Sequence, residues 1–397
     1  MVRLLTGLNA ADAQAELQAL GYSEPVAQWV RRLQASAALK LSGHGPELYR
    51  SLSAWLSRQP AFAVLPAPST TVSPACLIGL PHNDFPAIAQ VLGDEPKPPA
   101  LLPQIRAVLE NAGKNRWLYS HHEGEWVIEH PQIMGILNIT PDSFSDGGRY
   151  LDAGRAVVQA EAMLAAGADI IDIGGESTRP GAAPLDAAAE WERVAPVLRR
   201  LARKGRGLIS IDTSKSEVAE RALGEGAHII NDITALRGDA RLAKVAAAHH
   251  APLVLMHMQG TPRTMQQKPE YENLLEEVLT LLAERCRFAR EQGVSDLIVD
   301  PGIGFGKRLE DNYELLRRLG ELRVLGYPLL LGASRKSFIG NLLEVPVDQR
   351  LYGSLAAALI GVARGAHMLR VHDVAQTRQV LEVFQGMETL KAGGETA

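Results

Sequence analysis

A (β/α)8 barrel preceded by a small α/β domain is the fold this sequence predicts. Three observations carry the prediction. From residue 131 onward, eight short apolar runs alternate with longer helical stretches. Each run is nearly continuous, as expected of parallel strands buried on both faces. Several intervening helices also end on a glycine just before the next run: Gly167, Gly226, Gly293, Gly326 and Gly365. Glycine suits the left-handed residue that stops a helix. Eight such units over about 260 residues match a TIM barrel in number and length. A doubly wound sheet is the structural alternative, but no Gly-x-Gly-x-x-Gly fingerprint follows the first strand.

Taken in order, residues 1–97 read as one small α/β accessory domain of unassigned role. Stretches 11–20, 25–35 and 46–58 have helical character, and 38–41, 61–65 and 76–80 read as strands. Residues 98–130 hold the end of a proline-rich linker, a short helix at 102–112 and two apolar-aromatic runs, 116–120 and 125–129. His121-His122-Glu123-Gly124 between those runs is a hairpin signal. Residues 131–397 form the barrel. Its strands are expected at 133–137, 169–173, 208–211, 228–230, 252–256, 297–299, 328–331 and 367–371.

Composition excludes several classes. The chain has 397 residues, 46% hydrophobic, with a formal charge of −4. That is enough for two or three domains with a sizeable core, and gives no reason to expect a nucleic-acid partner. No run of about 20 apolar residues spans a membrane. The N-terminal apolar stretch is too short for a signal peptide. Two distant cysteines, Cys76 and Cys286, fit small buried hydrophobes in a reducing compartment, so a cytoplasmic protein is expected.

In TIM barrels the site lies at the C-terminal ends of the strands. Here the eight strand ends deliver, in order, Asn138; Gly174 to Pro180; Asp212; Asn231-Asp232; His257; Asp300; Gly332 to Ser337; and Arg370 with His372-Asp373. Every strand brings a polar or charged group to one rim. Asp212, Asn231 and Asp300 suit a flat heterocycle with adjacent N–H donors, such as an amino-pyrimidinone. Asn138, Arg179, Arg370 and His372 suit an anion such as a phosphate or pyrophosphate held with Mg²⁺. The segment Ser334-Arg-Lys-Ser-Phe338 is expected to open a helix whose N-terminal amides bind a second anion. Blander readings stand beside these. Arg335 serves equally as a surface ion-pair former, His257 as a satisfied buried histidine, His249-His250 as surface, and Gly304-x-Gly306-Lys307 as a tight turn beside Asp300. No His-Glu-x-x-His or Cys-x-x-Cys pattern supports zinc.

The motifs, read together, resemble a known family. They are Asn138-Ile-Thr-Pro-Asp-Ser-Phe-Ser-Asp-Gly-Gly148, Gly175-Glu-Ser-Thr-Arg-Pro-Gly181, Ile211-Asp-Thr213, Asn231-Asp-Ile233, Met256-His-Met-Gln-Gly-Thr-Pro262, Asp300-Pro-Gly-Ile-Gly-Phe-Gly306, Ser334-Arg-Lys-Ser-Phe338 and Arg370-Val-His-Asp373. In this order they look like the dihydropteroate synthases of folate biosynthesis. The hairpin at 116–130 resembles the one that closes the bottom of that family's barrel.

The resemblance implies a reaction. 6-Hydroxymethyl-7,8-dihydropterin pyrophosphate condenses with p-aminobenzoate to give 7,8-dihydropteroate and pyrophosphate, with Mg²⁺. It implies that Asp212, Asn231, Met256, Asp300 and Lys336 hold the pterin. It implies that Phe144, Thr178, Pro180, Phe305 and Ser337 contact p-aminobenzoate. Asn138 would bind the metal and pyrophosphate, with Arg370 and His372 on the anion. Flaps carrying Phe144, Asp146 and Arg179 would close the site. The catalytic set is then Asn138, Asp146, Arg179, Lys336 and Arg370, and the family implies a homodimer. The N-terminal 97 residues are extra to that pattern. Two rivals remain. A corrinoid-dependent pterin methyltransferase would not be expected to keep the 140–148 and 334–338 loops. A catalytically silent pterin-binding module would not need Asn138, Lys336 and Arg370.

Overall fold

The computed structural model describes residues 2–5, 38–42, 63–65, 75–79, 102–139, 149–177 and 185–392. Two compact units emerge, one comprising residues 1–115 with 317–327 and the other residues 116–316 with 328–397.

The first unit contains a four-stranded antiparallel sheet. Its strands are β1 (Val2–Leu5), β2 (Ala38–Ser42), β3 (Ala63–Leu65) and β4 (Ala75–Gly79), in the order β1-β2-β4-β3. Sequence reading missed β1, because four residues are too few to display a period. Its register with β2 runs from Val2↔Leu41 to Leu5↔Ala38. Helix α1 (Leu102–Gly113) and a 3₁₀ segment (Leu319–Leu325) belong to the same unit. Asn111 Nδ2 donates to the Val324 carbonyl at 2.9 Å between them. The helices expected at 11–20, 25–35 and 46–58 lie outside the described residues, as does the linker.

The second unit opens with a hairpin, β5 (Trp117–His121) and β6 (Gly124–Ile128). Eight parallel strands follow: β7 (Gln132–Asn138), β8 (Ile170–Gly174), β9 (Leu208–Asp212), β10 (Ile229–Asp232), β11 (Leu253–Met256), β12 (Leu297–Asp300), β13 (Leu330–Leu331) and β14 (Met368–Val371). Their order is β12-β11-β10-β9-β8-β7-β14-β13, and a parallel bridge between Val299 and Leu329 joins the two ends. This is the predicted (β/α)8 barrel. The seventh strand is shorter than expected because Pro328 has no N–H for the ladder; its carbonyl instead accepts from Val299 N at 3.0 Å.

Helices α2 (Arg149–Ala165), α3 (Ala187–Ala202), α4 (Ser216–Gly224), α5 (Arg241–Ala248), α6 (Leu274–Glu291), α7 (Leu309–Arg317), α8 (Ser337–Leu343), α9 (Leu351–Ala363) and α10 (Val374–Ala392) connect and follow the strands. Their starts are set by local chemistry. Asp186 caps α3 by accepting Ala189 N at 2.7 Å, and Asn273 caps α6 by accepting Glu276 N at 3.1 Å. All five glycines expected to stop helices have positive φ, between 78° and 105°. Among the described residues no helix is long and apolar enough to cross a membrane.

Strand period decides what enters the barrel. Met134, Ile170, Ile229, Val254, Ile298, Leu330 and Met368 form one buried layer with Trp117, Tyr119, Trp126 and Ile128 of the hairpin. The hairpin thus plugs the N-terminal end, and Tyr119 Oη donates to the Leu297 carbonyl at 2.5 Å. Burying each such large side chain contributes about 2 kcal/mol. Because side chains alternate, residues two or four further along face the same interior. That parity carries Asn138, Asp172, Gly174, Asp212, Asn231, Met256, Asp300, Gly332 and Arg370 inward, toward the other end.

The floor also gathers His121, His122 and His228, whose rings pack at 4.8–4.9 Å around His228. His228 Nδ1 accepts the Ile209 N–H at 3.0 Å, so the ring proton lies on Nε2, 3.1 Å from Glu123 Oε2. That tautomer latches the hairpin to β10 and leaves no lone pair on Nε2 for a metal ion.

Candidate active site

The centre of the site is Arg370 on β14. Its Nε donates to Asp172 Oδ2 at 2.6 Å and its terminal nitrogen to Asp212 Oδ2 at 2.7 Å. Asn231 Nδ2 donates to the same Asp172 oxygen at 3.0 Å, which turns the Asn231 carbonyl oxygen away from Asp172. Burial disfavours the guanidinium charge, and the two carboxylates outweigh it, so Arg370 shifts upward. Burial likewise raises Asp212, with Arg370 opposing. Asp172 Oδ1 is buried and has no hydrogen-bond partner.

Lys336 faces this group across the mouth. Its Nζ donates to the Ile303 carbonyl at 2.5 Å and lies 4.5 Å from the centroid of Phe305. Burial lowers the Lys336 amine to about 8, against the attraction of Asp300. Asp300 is buried, its carboxyl raised by burial, and its Oδ1 accepts Gly302 N at 2.7 Å. Gly332 leaves this space open: a Cβ there would stand 3.6 Å from Lys336 Nζ and 3.8 Å from Asp300 Oδ2. Met256, Met258 and Met265 form an apolar wall with Ile233 and Phe305 packed on it.

The structure therefore brings Asp212, Asn231, Met256, Asp300, Phe305, Lys336 and Arg370 together. Asn138 lies exposed at the end of β7, and its Oδ1 is 3.5 Å from where a Cβ on Gly174 would be. His372 is exposed at the rim, and its Nδ1 meets Ser334 Oγ at 3.1 Å. Ser337 is exposed at the first position of α8, a helix of seven residues. Phe144, Asp146, Thr178, Arg179 and Pro180 lie outside the described residues.

Several ambiguous residues now have settled positions. Arg335 is an ion-pair former: it binds Asp373 through Nε at 2.9 Å and adopts φ +56°, a left-handed strain of about 1–2 kcal/mol just before Lys336. His257 is buried and bonded to Lys307. Asp232 accepts Thr234 N, Thr234 Oγ1 and Leu236 N, so it organises its own turn. Cys286 is buried, and that burial pushes its thiol up to about 12; Cys76 stands on β4.

Sequence reading missed Asp172, although a carboxylate inside Ile-Ile-Asp-Ile was a visible signal. It also missed Lys215, which joins Glu176, after β8, to the buried Glu190 of α3. Glu176 Oε1 in turn accepts Leu185 N at 3.0 Å.

Comparison with known proteins identifies the family. The profile of the family described as pterin binding enzyme matches residues 134–372. Dihydropteroate synthase of Escherichia coli K12 is 48% identical over 266 residues, covering 66% of this chain and 94% of the relative. The chain belongs to the dihydropteroate synthase family. Solved structures in that family superpose well. Yersinia pestis dihydropteroate synthase, in a sulfonamide drug complex, gives a TM-score of 0.65 at 42% identity, covering 69% of this chain and 100% of that one. The Xanthomonas albilineans dihydropteroate synthase, with 4-aminobenzoic acid, gives 0.63 at 43% identity, covering 66% and 95%. As a dihydropteroate synthase family member the chain is a transferase, and the family match runs from within the first barrel strand to just past the last.

Proposed function

We infer that the barrel condenses 6-hydroxymethyl-7,8-dihydropterin pyrophosphate with p-aminobenzoate, giving 7,8-dihydropteroate and pyrophosphate for folate synthesis. The observation that carries this reading is the inward cluster of Asp212, Asn231, Asp300, Lys336 and Arg370 in a chain 48% identical to a dihydropteroate synthase. Acidic and amide acceptors at the barrel centre match the N–H donors of a pterin ring. Met256 packs on that ring, and Lys336 borders it.

Arg370 and His372 take the pyrophosphate with Asn138. The Asn138 amide oxygen is a hard donor, exposed at the rim, and one protein oxygen plus phosphate oxygens is the usual way Mg²⁺ is held. Mg²⁺ there would neutralise leaving-group charge. Phe305 and Ser337 border the arylamine, together with Phe144, Thr178 and Pro180. Asp146 and Arg179 complete the catalytic set, as the family pattern implies.

The residues fit a dissociative displacement. The electron-rich dihydropterin supports positive character at its exocyclic methylene as pyrophosphate departs. Arg370 stabilises the anion that forms. The attacking arylamine is neutral near pH 7, so no strong general base is needed. The absence of a Ser-His-Asp arrangement from the motifs is consistent with that chemistry. Sulfonamides, as p-aminobenzoate mimics, would compete for the same place.

We propose that the protein works in the cytoplasm as a homodimer, as the family pattern implies. An apolar surface on α8 and α9 supports the dimer. Leu342, Leu343, Tyr352 and Ile360 are exposed, Tyr352 by 81%. Tyr352 and Ile360 share one face of α9, and Gly353 lets α8 approach through Ile339 and Leu343.

The deciding experiment incubates the purified protein with both substrates and Mg²⁺. Dihydropteroate and stoichiometric pyrophosphate are expected. Pterin binding without pyrophosphate release would leave only a binding module.

A further inference from the structure

Lys307 is a buried amine for which the reaction above has no use; burial lowers it to about 7 against the attraction of Asp300, and below that value it carries an ammonium charge. Its side chain is 4% exposed. Its Nζ lies 2.9 Å from His257 Nδ1, 2.9 Å from the Gly302 carbonyl and 3.0 Å from the Phe305 carbonyl. An ammonium has three hydrogens, and each has one acceptor. Burying that charge costs several kcal/mol unless it is so satisfied. A methionine would fill similar space without the cost, so packing alone does not account for a lysine here.

The three acceptors show what the charge ties together. Gly302 and Phe305 belong to the loop between β12 and α7, whose glycines at 302, 304 and 306 have φ of 68°, 81° and 60°. His257 follows β11. A Cβ on Gly302 would fall 1.8 Å from the His257 carbonyl oxygen, so the two segments lie in direct contact. Lys307 therefore closes the loop on itself and on its neighbour. The loop presents two groups to Lys336: the Ile303 carbonyl at 2.5 Å and the Phe305 ring at 4.5 Å. The Asp300 backbone is fixed within β12, paired in register with Met256, while its carboxylate also accepts Gly302 N of this loop.

We propose that Lys307 is a positioning residue for the arylamine half of the site, pinning the β12–α7 loop to His257 so that Phe305 and the Ile303 carbonyl meet Lys336. This rests on assigning Phe305 to p-aminobenzoate. Because β12 holds the Asp300 backbone, and Asp212, Asn231 and Met256 stand on other strands, the larger effect falls on p-aminobenzoate. A residue needed only for folding would lower the melting temperature without separating the two substrates.

The test uses the full chain with K307M, H257A and F305A. Steady-state kinetics gives KM for p-aminobenzoate and kcat. Calorimetry with the pterin pyrophosphate and Mg²⁺ gives its Kd. K307M is expected to raise KM for p-aminobenzoate by about tenfold or more with pterin Kd within about threefold. H257A removes one acceptor and keeps both carbonyl bonds. It is expected to shift KM in the same direction by about threefold, and it decides the matter should K307M not fold. Unchanged KM in both variants, or pterin Kd rising in step with KM, overturns the proposal. F305A with unchanged KM overturns the Phe305 assignment beneath it. F305A raising KM while K307M and H257A do not overturns the positioning role alone.

Discussion

Arg370 is held by two carboxylates at once, Asp172 at 2.6 Å and Asp212 at 2.7 Å. Of these, only Asp212 stands at a strand end. Asp172 sits one step deeper, fully buried, and supports both Arg370 and Asn231 through a single oxygen. The arginine proposed for the anion and the amide proposed for the pterin therefore share one buried anchor.

Replacing that anchor should damage both halves of the pterin pyrophosphate site. Asp172→Asn keeps the shape and removes the charge, a loss of about 1–3 kcal/mol in a charge-assisted bond. kcat/KM for the pterin substrate is expected to fall roughly 10- to 100-fold. Unchanged kcat/KM in a folded variant would remove Asp172 from the site.

Asp212→Asn should act on pterin affinity in particular. A binding loss of about 1–3 kcal/mol is expected from one weakened charge-assisted bond. Isothermal titration with the pterin substrate measures it, and an unaltered Kd would count against the role.

Lys336 gives a pH dependence with a definite sign. Burial lowers its amine to about 8, and the charged form lies below that value. kcat/KM should hold on the acid side and fall through about pH 8, by up to about tenfold per further unit. In K336R the guanidinium stays charged, so any activity the variant retains should lack that limb. For stability the sign is opposite. Between about 8 and the ordinary 10.5, the unfolded lysine binds the proton that the folded one has lost, so this group's contribution to stability rises with pH.

At the other end of the barrel, His228→Phe should affect stability and spare catalysis. It leaves the buried Ile209 N–H without its acceptor, at a cost of about 1–3 kcal/mol. Urea unfolding would register the loss, while turnover per folded molecule stays at the wild-type value.

The proposed dimer has a direct check in Tyr352→Glu. A charge placed on the exposed apolar face of α9 should shift the protein toward monomer in analytical ultracentrifugation. An unshifted dimer would place the interface elsewhere.

The sequence was legible wherever one local rule governed. Apolar runs of strand length, broken by glycine helix stops, gave all eight barrel strands to within two residues at either end. Strand-end polar residues gave Asp212, Asn231, Asp300 and Arg370, because in a barrel the end of a strand is also the mouth. Asp172 is not a strand-end residue; it stands inside β8, and only the alternation that turns every second residue inward brings it to the site. Lys307 read as part of a turn, since only its contact with His257, fifty positions away, reveals what the charge does.

By itself, then, the sequence determined the fold class, the order and approximate bounds of the barrel strands, the family and most of the residues that meet at the barrel mouth. These depend on periodicity and on motifs a few residues long. Tertiary structure decided the pairing: Arg370 between Asp172 and Asp212, Lys307 under the β12–α7 loop, and the His228 tautomer latching the floor. Each joins groups far apart in the chain. Charge, burial and hydrogen-bond geometry at such a meeting point are properties of the packed barrel, and no local pattern encodes them.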